Sequence, residues 1–415
     1  MTSSNINGKP VAIVLGGTNP HKQLIVNLKE RGYFTVLIDY LENPSAKEVA
    51  DHHVQESTLD KDKVLEIANQ FQPKLILSIC IDQANGVASY VSEKLGLPVL
   101  HSFQSTNLIN NKLNLKKFCV ENKINTAPFI EKFSIENLKV LNLPLVIKPV
   151  DTTGSKGVLK IENLENLSQI IDRSRSFSPS QSVFIEEFVE GTEVQVDCFV
   201  IDGKATTVMF NVKNKLKTGA DAVMQSIGST CVPKKYFSNA VTEEFSDIAQ
   251  NIVNGLSLKS GPFFFQALIK DQKVYLIEFA LRIGGGLSYK IIPTVTGFDT
   301  LQASLDVLLG LLPRLPESQN QADYFATNNI YVEPGKFGEI EFDTGMDHSL
   351  IEFFIPYKTK GAVIGAEFSS NNRIGAFITK GKSISELKVK AKQVYGSFKV
   401  LDVNGKQLNH INLRP

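Results

Sequence analysis

The sequence has little of what marks several large protein classes. No run approaches 18 consecutive apolar residues, so no membrane span is expected. The start, MTSSNINGKP, is polar and lacks the basic and apolar segments of a signal peptide. Cysteine is sparse: Cys80, Cys119, Cys198 and Cys231 are far apart, with no CxxC and no nearby His pair. Neither a zinc site nor a disulfide framework is signalled, and each cysteine reads as a free thiol among apolar residues. There is no excess of one charge, because 44 Lys and Arg face 43 Asp and Glu. That balance argues against a protein built to coat nucleic acid or anionic membrane. No repeat and no low-complexity tract stands out. The expectation is a cytoplasmic chain with no nucleic-acid or membrane partner.

What is present is 415 residues with 42% hydrophobic content, enough for several packed domains. Strand and helix signals alternate over the first hundred residues. Apolar runs at 11–15, 34–38, 75–81 and 98–100 are separated by helical stretches at 23–31, 61–70 and 84–95. That βαβ series predicts a parallel sheet covered on both faces. From about residue 105 the pattern changes. One helix over 106–122 leads into strands at 145–148, 183–188, 193–201, 204–212, 263–269 and 274–280, with a helix near 241–256. This reads as α+β with antiparallel sheets. A Gln/Asn-containing stretch at 317–322 looks like a linker. Strands at 329–332 and 339–342, a turn at Pro334-Gly335 and a helix near 385–395 suggest a small C-terminal domain. The expected domains are 1–104, 105–316 and 317–415.

Several constellations point to chemistry. Gly16-Gly17 follows the first strand, but G-x-G-x-x-G is absent, so a tight strand-to-helix turn explains the pair best. Asp39 closes the next strand as a ribose-binding acid would. Leu108, Lys112, Leu115 and Cys119 fall at helical spacing, which puts a lysine on an apolar stripe. It is either a snorkelling side chain or a cation aimed at a phosphate. Lys148 ends a strand and Pro149 stops it. The loop Thr152-Thr153-Gly154-Ser155-Lys156-Gly157 follows, rich in groups that cradle anions. Glu186-Glu187-Phe188-Val189 closes an apolar strand and Glu193 opens the next. The two acids are either a solvated edge or ligands for hydroxyl or amino groups. The runs 263–269 and 274–280 read as a hairpin. A turn centred on Gln272 would set Gln266 opposite Glu278, two oxygen donors suited to Mg²⁺. Arg282 and Gly284-Gly285-Gly286 follow. His52-His53 reads as structural.

The ordered set Lys112, Lys148-Pro149, TTGSKG, IEEFVEGTE, Gln266 and IEFALRIGGG resembles the ATP-grasp superfamily, in its carboxylate–amine/thiol ligase branch. It is similar to biotin carboxylase, carbamoyl-phosphate synthetase halves and L-amino acid ligases. The resemblance implies an N-terminal parallel-sheet (pre-ATP-grasp) domain, a two-lobed ATP-grasp domain and a small C-terminal domain. It implies ATP and Mg²⁺ as cofactors. Lys112 and Lys148 would contact ATP phosphates, and Thr153 to Gly157 would close over them. Glu186 to Val189 would form the hinge at the adenine edge, and Glu193 would hold the ribose. Gln266 and Glu278 would ligate Mg²⁺, and Arg282 would steady the acyl phosphate. Gly284 to Gly286 would let the acceptor carboxylate approach the backbone. The family usually reads Glu-x-Asn where this chain has Glu278-Phe279-Ala280, so one expected ligand is absent. The implied reaction joins a small-molecule carboxylic acid to an amine. A bicarbonate-activating carboxylase, a nucleotide-binding module without turnover and a nicotinamide oxidoreductase are the rivals. The loop 78–83 lies where open α/β sheets bind ligands. Related enzymes are often dimers, so a homodimer is one option, and the sequence leaves the oligomeric state open.

Overall fold

The computed structural model describes residues 5–6, 8–131, 133–152, 156–216, 225–315, 322–366 and 372–410. The N-terminal part runs β1 (Asn5–Ile6), β2 (Lys9–Leu15), α1 (Asn19–Glu30), β3 (Phe34–Asp39), β4 (His52–Gln55), α2 (Lys61–Phe71), β5 (Leu75–Leu77) and α3 (Asp82–Lys94). Strands β3 and β5 flank β2 in parallel, β4 extends β3, and only the short β1 pairs antiparallel. Val11, Ile13 and Leu15 point to one face of the sheet, with Val64, Val87 and Val91 of the covering helices. Ala12 and Val14 point to the other, with Leu24 and Leu28 of α1. Alternate burial on both faces is the pattern of a doubly covered parallel sheet. The expected strand at 98–100 does not form, because that segment has no sheet neighbour. The strand at 75–81 stops at Leu77, and the rest is the loop that enters α3.

Next come α4 (Phe103–Leu108), α5 (Lys112–Glu121), β6 (Phe129–Ile130), α6 (Ile135–Leu138), β7 (Leu145–Pro149), β8 (Leu159–Ile161), α7 (Leu167–Arg175) and β9 (Val183–Glu187). The single helix expected over 106–122 is two. Asn111 accepts the N–H groups of Leu113 and Asn114 and so caps a new helix instead of continuing the old one. Strands β6, β9, β7 and β8 form a four-stranded antiparallel sheet.

The second sheet begins with β10 (Thr192–Ile201) and β11 (Lys204–Leu216), joined by the left-handed pair Asp202 and Gly203. Then follow β12 (Gln225–Val232), α8 (Asn239–Leu256), β13 (Gly261–Lys270), β14 (Lys273–Ala280), α9 (Ser288–Thr296) and α10 (Thr300–Leu308). The chain ends with β15 (Tyr324–Ile330), β16 (Gly335–Phe342), β17 (Phe353–Pro356), β18 (Val363–Ile364), β19 (Gly375–Gly381), α11 (Ile384–Tyr395) and β20 (Phe398–Asp402). The strand expected at 329–332 is displaced to Tyr324–Ile330, and Gly335 opens a strand instead of completing a turn. The eight-stranded sheet has the order β14-β13-β10-β11-β12-β15-β19-β17. It therefore runs through the expected boundary at 316/317, most of whose linker lies outside the described residues. One face carries α8 on an apolar layer of Val194, Val196, Phe265 and Phe279. The opposite face carries the polar side chains described next.

Candidate active site

A polar row crosses the eight-stranded sheet. Asn211 on β11 pairs with Gln195 on β10, Gln195 with Gln266 on β13, and Gln266 with Glu278 on β14. Directly opposed residues share a face, so all four side chains project to the side away from α8. The expected Gln266–Glu278 pairing forms, by a route the spacing did not show. The turn is the two-residue pair Asp271-Gln272, both left-handed, which aligns Lys270 with Lys273. A bulge between Gln266 and Ala267 then shifts the register by one and brings Glu278 opposite Gln266.

Asp197, two residues from Gln195, is buried and takes hydrogen bonds from Gln195 Nε2 at 3.0 Å and Asn211 Nδ2 at 3.2 Å. Burial pushes its carboxyl up to about 6, and those donors together with Lys213 work against the rise. Lys213 Nζ donates to Gln195 Oε1 at 2.8 Å. Burial lowers the Lys213 ammonium, while Glu193, Asp197 and Glu278 favour its charge. Glu193 itself is ion-paired with Lys215.

Three further cations converge on this row. Lys112 does not lie on a helical stripe with Leu108, since the helix breaks between them. It opens α5, its N–H donates to Val150 O at 2.8 Å, and its Nζ donates to Thr152 O. Burial lowers its ammonium, and the nearby Glu278 acts the other way. Lys148, the penultimate residue of β7, lies near Lys112 and is ion-paired with Glu186. Arg282 lies just past β14, with its guanidinium carbon 5.0 Å from the Phe264 ring centroid. Its Nε and Nη2 reach Asp82 Oδ1 and Oδ2 at 2.6 and 2.7 Å. Burial would lower its pKa, but Asp82 raises it further and keeps it cationic. Ala280, where the resemblance leads one to expect asparagine, is buried opposite Phe264 and offers no ligand atom.

Glu186 corrects the reading of a solvated edge or a free ligand group. It is 5% exposed, and its carboxylate bridges Lys148 and Lys116 Nζ, the latter at 2.6 Å. Burial favours the neutral acid, but the two lysines more than reverse it and hold the carboxyl below the usual range. Lys116 is 2% exposed, and its ammonium also donates to Thr126 Oγ1. Thr126 Oγ1 in turn donates to Leu276 O on β14 at 2.7 Å. Lys116 thus ties the four-stranded sheet to the strand that carries Glu278. The sequence reading missed it, because Lys112 and Lys116 stand one helical turn apart and only the break at Asn111 shows which is buried.

Glu187 accepts from Asn142 N and Nδ2 at 2.8 and 2.9 Å. Phe188 N–H donates to Pro144 O, and Lys160 Nζ lies 4.1 Å from the Phe188 ring centroid. Val189 follows at the end of this segment. Thr153, Gly154 and Ser155 lie outside the described residues. Lys156 is exposed. Gly157 has φ +73°, and a side chain there would strike Pro149 and Phe177. A Cβ on Gly284 would come within 2.8 Å of Gln195, Ser288 and Asp197 side-chain atoms, so the glycine lets the loop lie on the polar row. Gly285 and Gly286 face open space.

The loop 78–83 joins the site through Asp82 and through Cys80, whose Sγ lies 3.5 Å from Gly284 O. Cys80 is only partly buried; Cys119, Cys198 and Cys231 are buried. Gly16 and Gly17 are structural. A Cβ on Gly16 would hit the His21 ring at 2.8 Å, and one on Gly17 would hit Pro44 at 2.3 Å. Asp39 is buried beside Gly17 and accepts Leu41 N–H at 2.9 Å. His52 packs on Phe71.

Comparison with known proteins agrees with this geometry. Residues 141–290 match the ATP-grasp domain family. The carbamoyl phosphate synthase large chain of Pseudothermotoga lettingae is 22% identical over 366 residues, covering 83% of this chain and 32% of that protein. The chain thus spans about a third of the length of that relative. The crystal structure of phosphoribosylglycinamide synthetase from Anaerococcus prevotii matches with a TM-score of 0.77 at 18% identity, covering 95% of this chain and 100% of that one. That of L-amino acid ligase from Bacillus licheniformis matches with 0.76 at 19% identity, covering 95% and 99%. Among the described residues no helix is long and apolar enough to cross a membrane. The chain therefore contains a segment, residues 141–290, that belongs to the ATP-grasp domain family.

Proposed function

We propose that this chain is an ATP-dependent ligase that joins a small-molecule carboxylic acid to an amine through an acyl phosphate, with release of ADP and phosphate. The observation that carries the reading is the row Asn211–Gln195–Gln266–Glu278, with Lys112, Lys148, Lys213 and Arg282 gathered about its acidic end. A half-buried pair of oxygen donors, Gln266 and Glu278, with several cations about it suits a bound polyanion and a divalent ion together.

Gln266 and Glu278 offer opposed oxygen donors that fit Mg²⁺, and Ala280 leaves the site with one carboxylate. When bound, the ion supplies charge neutralisation at the phosphates. Lys112 and Lys148 bind the phosphate chain as compact point charges. Thr153 to Gly157 close over it and exclude water. Glu186 to Val189 border the adenine and Glu193 takes the ribose. Arg282, held by Asp82 and stacked on Phe264, orients the carboxylate that attacks the terminal phosphate and stabilises the charge that develops. Gly285 and Gly286 leave room for the acid beside the loop. The domains are read as 1–104, 105–316 and 317–415.

Hydroxylamine supplied in place of the amine tests the reading. It captures an acyl phosphate as a hydroxamate, so ATP, Mg²⁺ and pooled carboxylic acids should give hydroxamate with matching ADP. ATP binding with no hydroxamate from any organic acid would count against it; ADP release dependent on bicarbonate would favour the carboxylase reading instead.

A further inference from the structure

Asp197 dictates which way two neighbouring amides point. A carboxylate accepts and never donates, whereas an amide side chain has one donor end and one acceptor end. Asp197 is 3% exposed, and its Oδ1 and Oδ2 accept from Gln195 Nε2 at 3.0 and 3.2 Å. Its Oδ2 also accepts from Asn211 Nδ2 at 3.2 Å. The nitrogen ends of both amides are therefore turned in to Asp197, and the oxygen ends are turned away. Gly284 lies against the pair, where a Cβ would come within 2.6 Å of Gln195 Nε2 and 2.8 Å of Asp197 Oδ1. Gln195 has no room to swing aside on that flank.

The oxygen end of Gln195 accepts from Lys213 Nζ at 2.8 Å. Glu193 and Glu278 lie close enough to favour the charge of that ammonium. Among the described residues Lys213 makes no ion pair, whereas Lys148 is paired with Glu186, Lys215 with Glu193 and Arg282 with Asp82. Its charge is left for a bound anion, and its place is set by a neutral acceptor. That acceptor faces Lys213 only while Asp197 holds the other end of the same amide.

We propose that Asp197 is a positioning residue for phosphoryl transfer: through the Gln195 amide it holds the Lys213 ammonium at the acidic end of the polar row, and a proton on Asp197 releases it. The inference rests on the ligase reading for what Lys213 does there. Each carboxylate oxygen meets an N–H group, so a proton on either one puts a competing donor in place of an acceptor and removes the charge that orients the amides. An amide turned over would set its own N–H groups against Lys213, donor facing donor. Burial brings the Asp197 carboxyl up to about 6, within reach of neutral pH. Lys213 from β11, Arg282 from beyond β14 and Cys80 from the loop 78–83 face it, with Cys198 next to it on β10. Burial keeps both thiols protonated.

The test uses the full chain with the acid found by hydroxylamine trapping, and compares Lys213→Met, Asp197→Asn and the double variant. Lys213→Met should lower kcat/KM for ATP by about thirtyfold and Asp197→Asn by about tenfold. The double variant should match Lys213→Met within about twofold, because Asp197 acts through the lysine. Losses that multiply, to about three-hundredfold, would overturn the proposal, and so would an unchanged Asp197→Asn. If Asp197→Asn does not fold, the ratio of wild type to Lys213→Met decides, since protonation of ATP, acid and hydroxylamine cancels in it. That ratio should be about thirtyfold at pH 8 and shrink to a few-fold by pH 5.5. A ratio that stays constant would overturn the proposal. If no acid gives hydroxamate, the ligase reading fails separately. The same comparisons are then made on the calorimetric Kd for ATP: effects that do not add support the positioning role, and effects that multiply, or none, overturn it.

Discussion

Arg282 and Asp82 form a two-pronged ion pair, with contacts of 2.6 and 2.7 Å, between the loop after β14 and the first turn of α3. It links the N-terminal parallel sheet directly to the strand that carries Glu278. The guanidinium side chain is 12% exposed and that of Asp82 is 28%, so the pair is largely shielded from water. Losing one member of a buried pair costs about 3–5 kcal/mol, less where a partner remains solvated.

That pair gives the first prediction. Arg282→Ala should lower turnover by about a hundredfold while ATP affinity changes by no more than about threefold, because Arg282 acts on developing charge. Asp82→Asn should lower turnover less, by about tenfold, since the arginine keeps its charge but loses its fixed orientation. Steady-state kinetics with a parallel nucleotide titration separates the two effects. A selective loss of ATP binding in Arg282→Ala would contradict the role.

Lys116 should matter to nucleotide binding without touching the nucleotide. Its ammonium shares Glu186 with Lys148, so removing it leaves Lys148 as the sole ionic partner of a buried carboxylate. Lys148 is then drawn away from the phosphates. Lys116→Met, which keeps the side-chain volume, should raise the Kd for ATP by about tenfold with the circular dichroism unchanged. An unchanged Kd would reduce Lys116 to a core filler. Lys148→Ala should weaken ATP at least as much.

Acid should unfold the protein early, through two buried histidines. Burial lowers His21 to about 3 and His101 to about 4. His21 Nε2 lies 3.4 Å from the Ile79 N–H, which makes it an acceptor, and its Nδ1 meets Thr18 Oγ1 at 2.7 Å. His101 Nε2 donates to Pro262 O at 2.8 Å. Both rings stay neutral in the fold, whereas the unfolded chain protonates them near pH 6.5. The unfolded state therefore binds more protons below 6.5, and stability falls as pH drops through that point toward the folded values. At about 1.4 kcal/mol per pH unit for each ring, the loss from pH 7 to 5 is about 4 kcal/mol. The urea midpoint should fall over that range. A flat midpoint would show that the rings are solvated.

Much of the fold was legible because it follows from periodicity. Alternating βα signals gave the parallel sheet, and the left-handed Asp202-Gly203 turn closes the hairpin expected between 193–201 and 204–212. Glu193, Gln195 and Asp197 alternate with Val194 and Val196 in the sequence, a two-residue period that marks the polar face of β10. What was not legible depends on single residues with long-range effects. One capping asparagine splits a helix and exchanges the roles of Lys112 and Lys116. One bulge residue sets the register at Glu278. The partners of Arg282 and Pro356 come from segments 200 and 337 residues away, at Asp82 and Asn19, and no local pattern announces them.

The polar row is the centre of the account, and Glu278 is its sole carboxylate. Wild-type and Glu278→Ala proteins should be compared in the hydroxylamine-trapping assay across a range of Mg²⁺. The wild type should yield equal hydroxamate and ADP, both dependent on Mg²⁺. Glu278→Ala should yield neither, by a factor of about a hundred or more, with its thermal unfolding little changed. Turnover retained in Glu278→Ala would contradict the account.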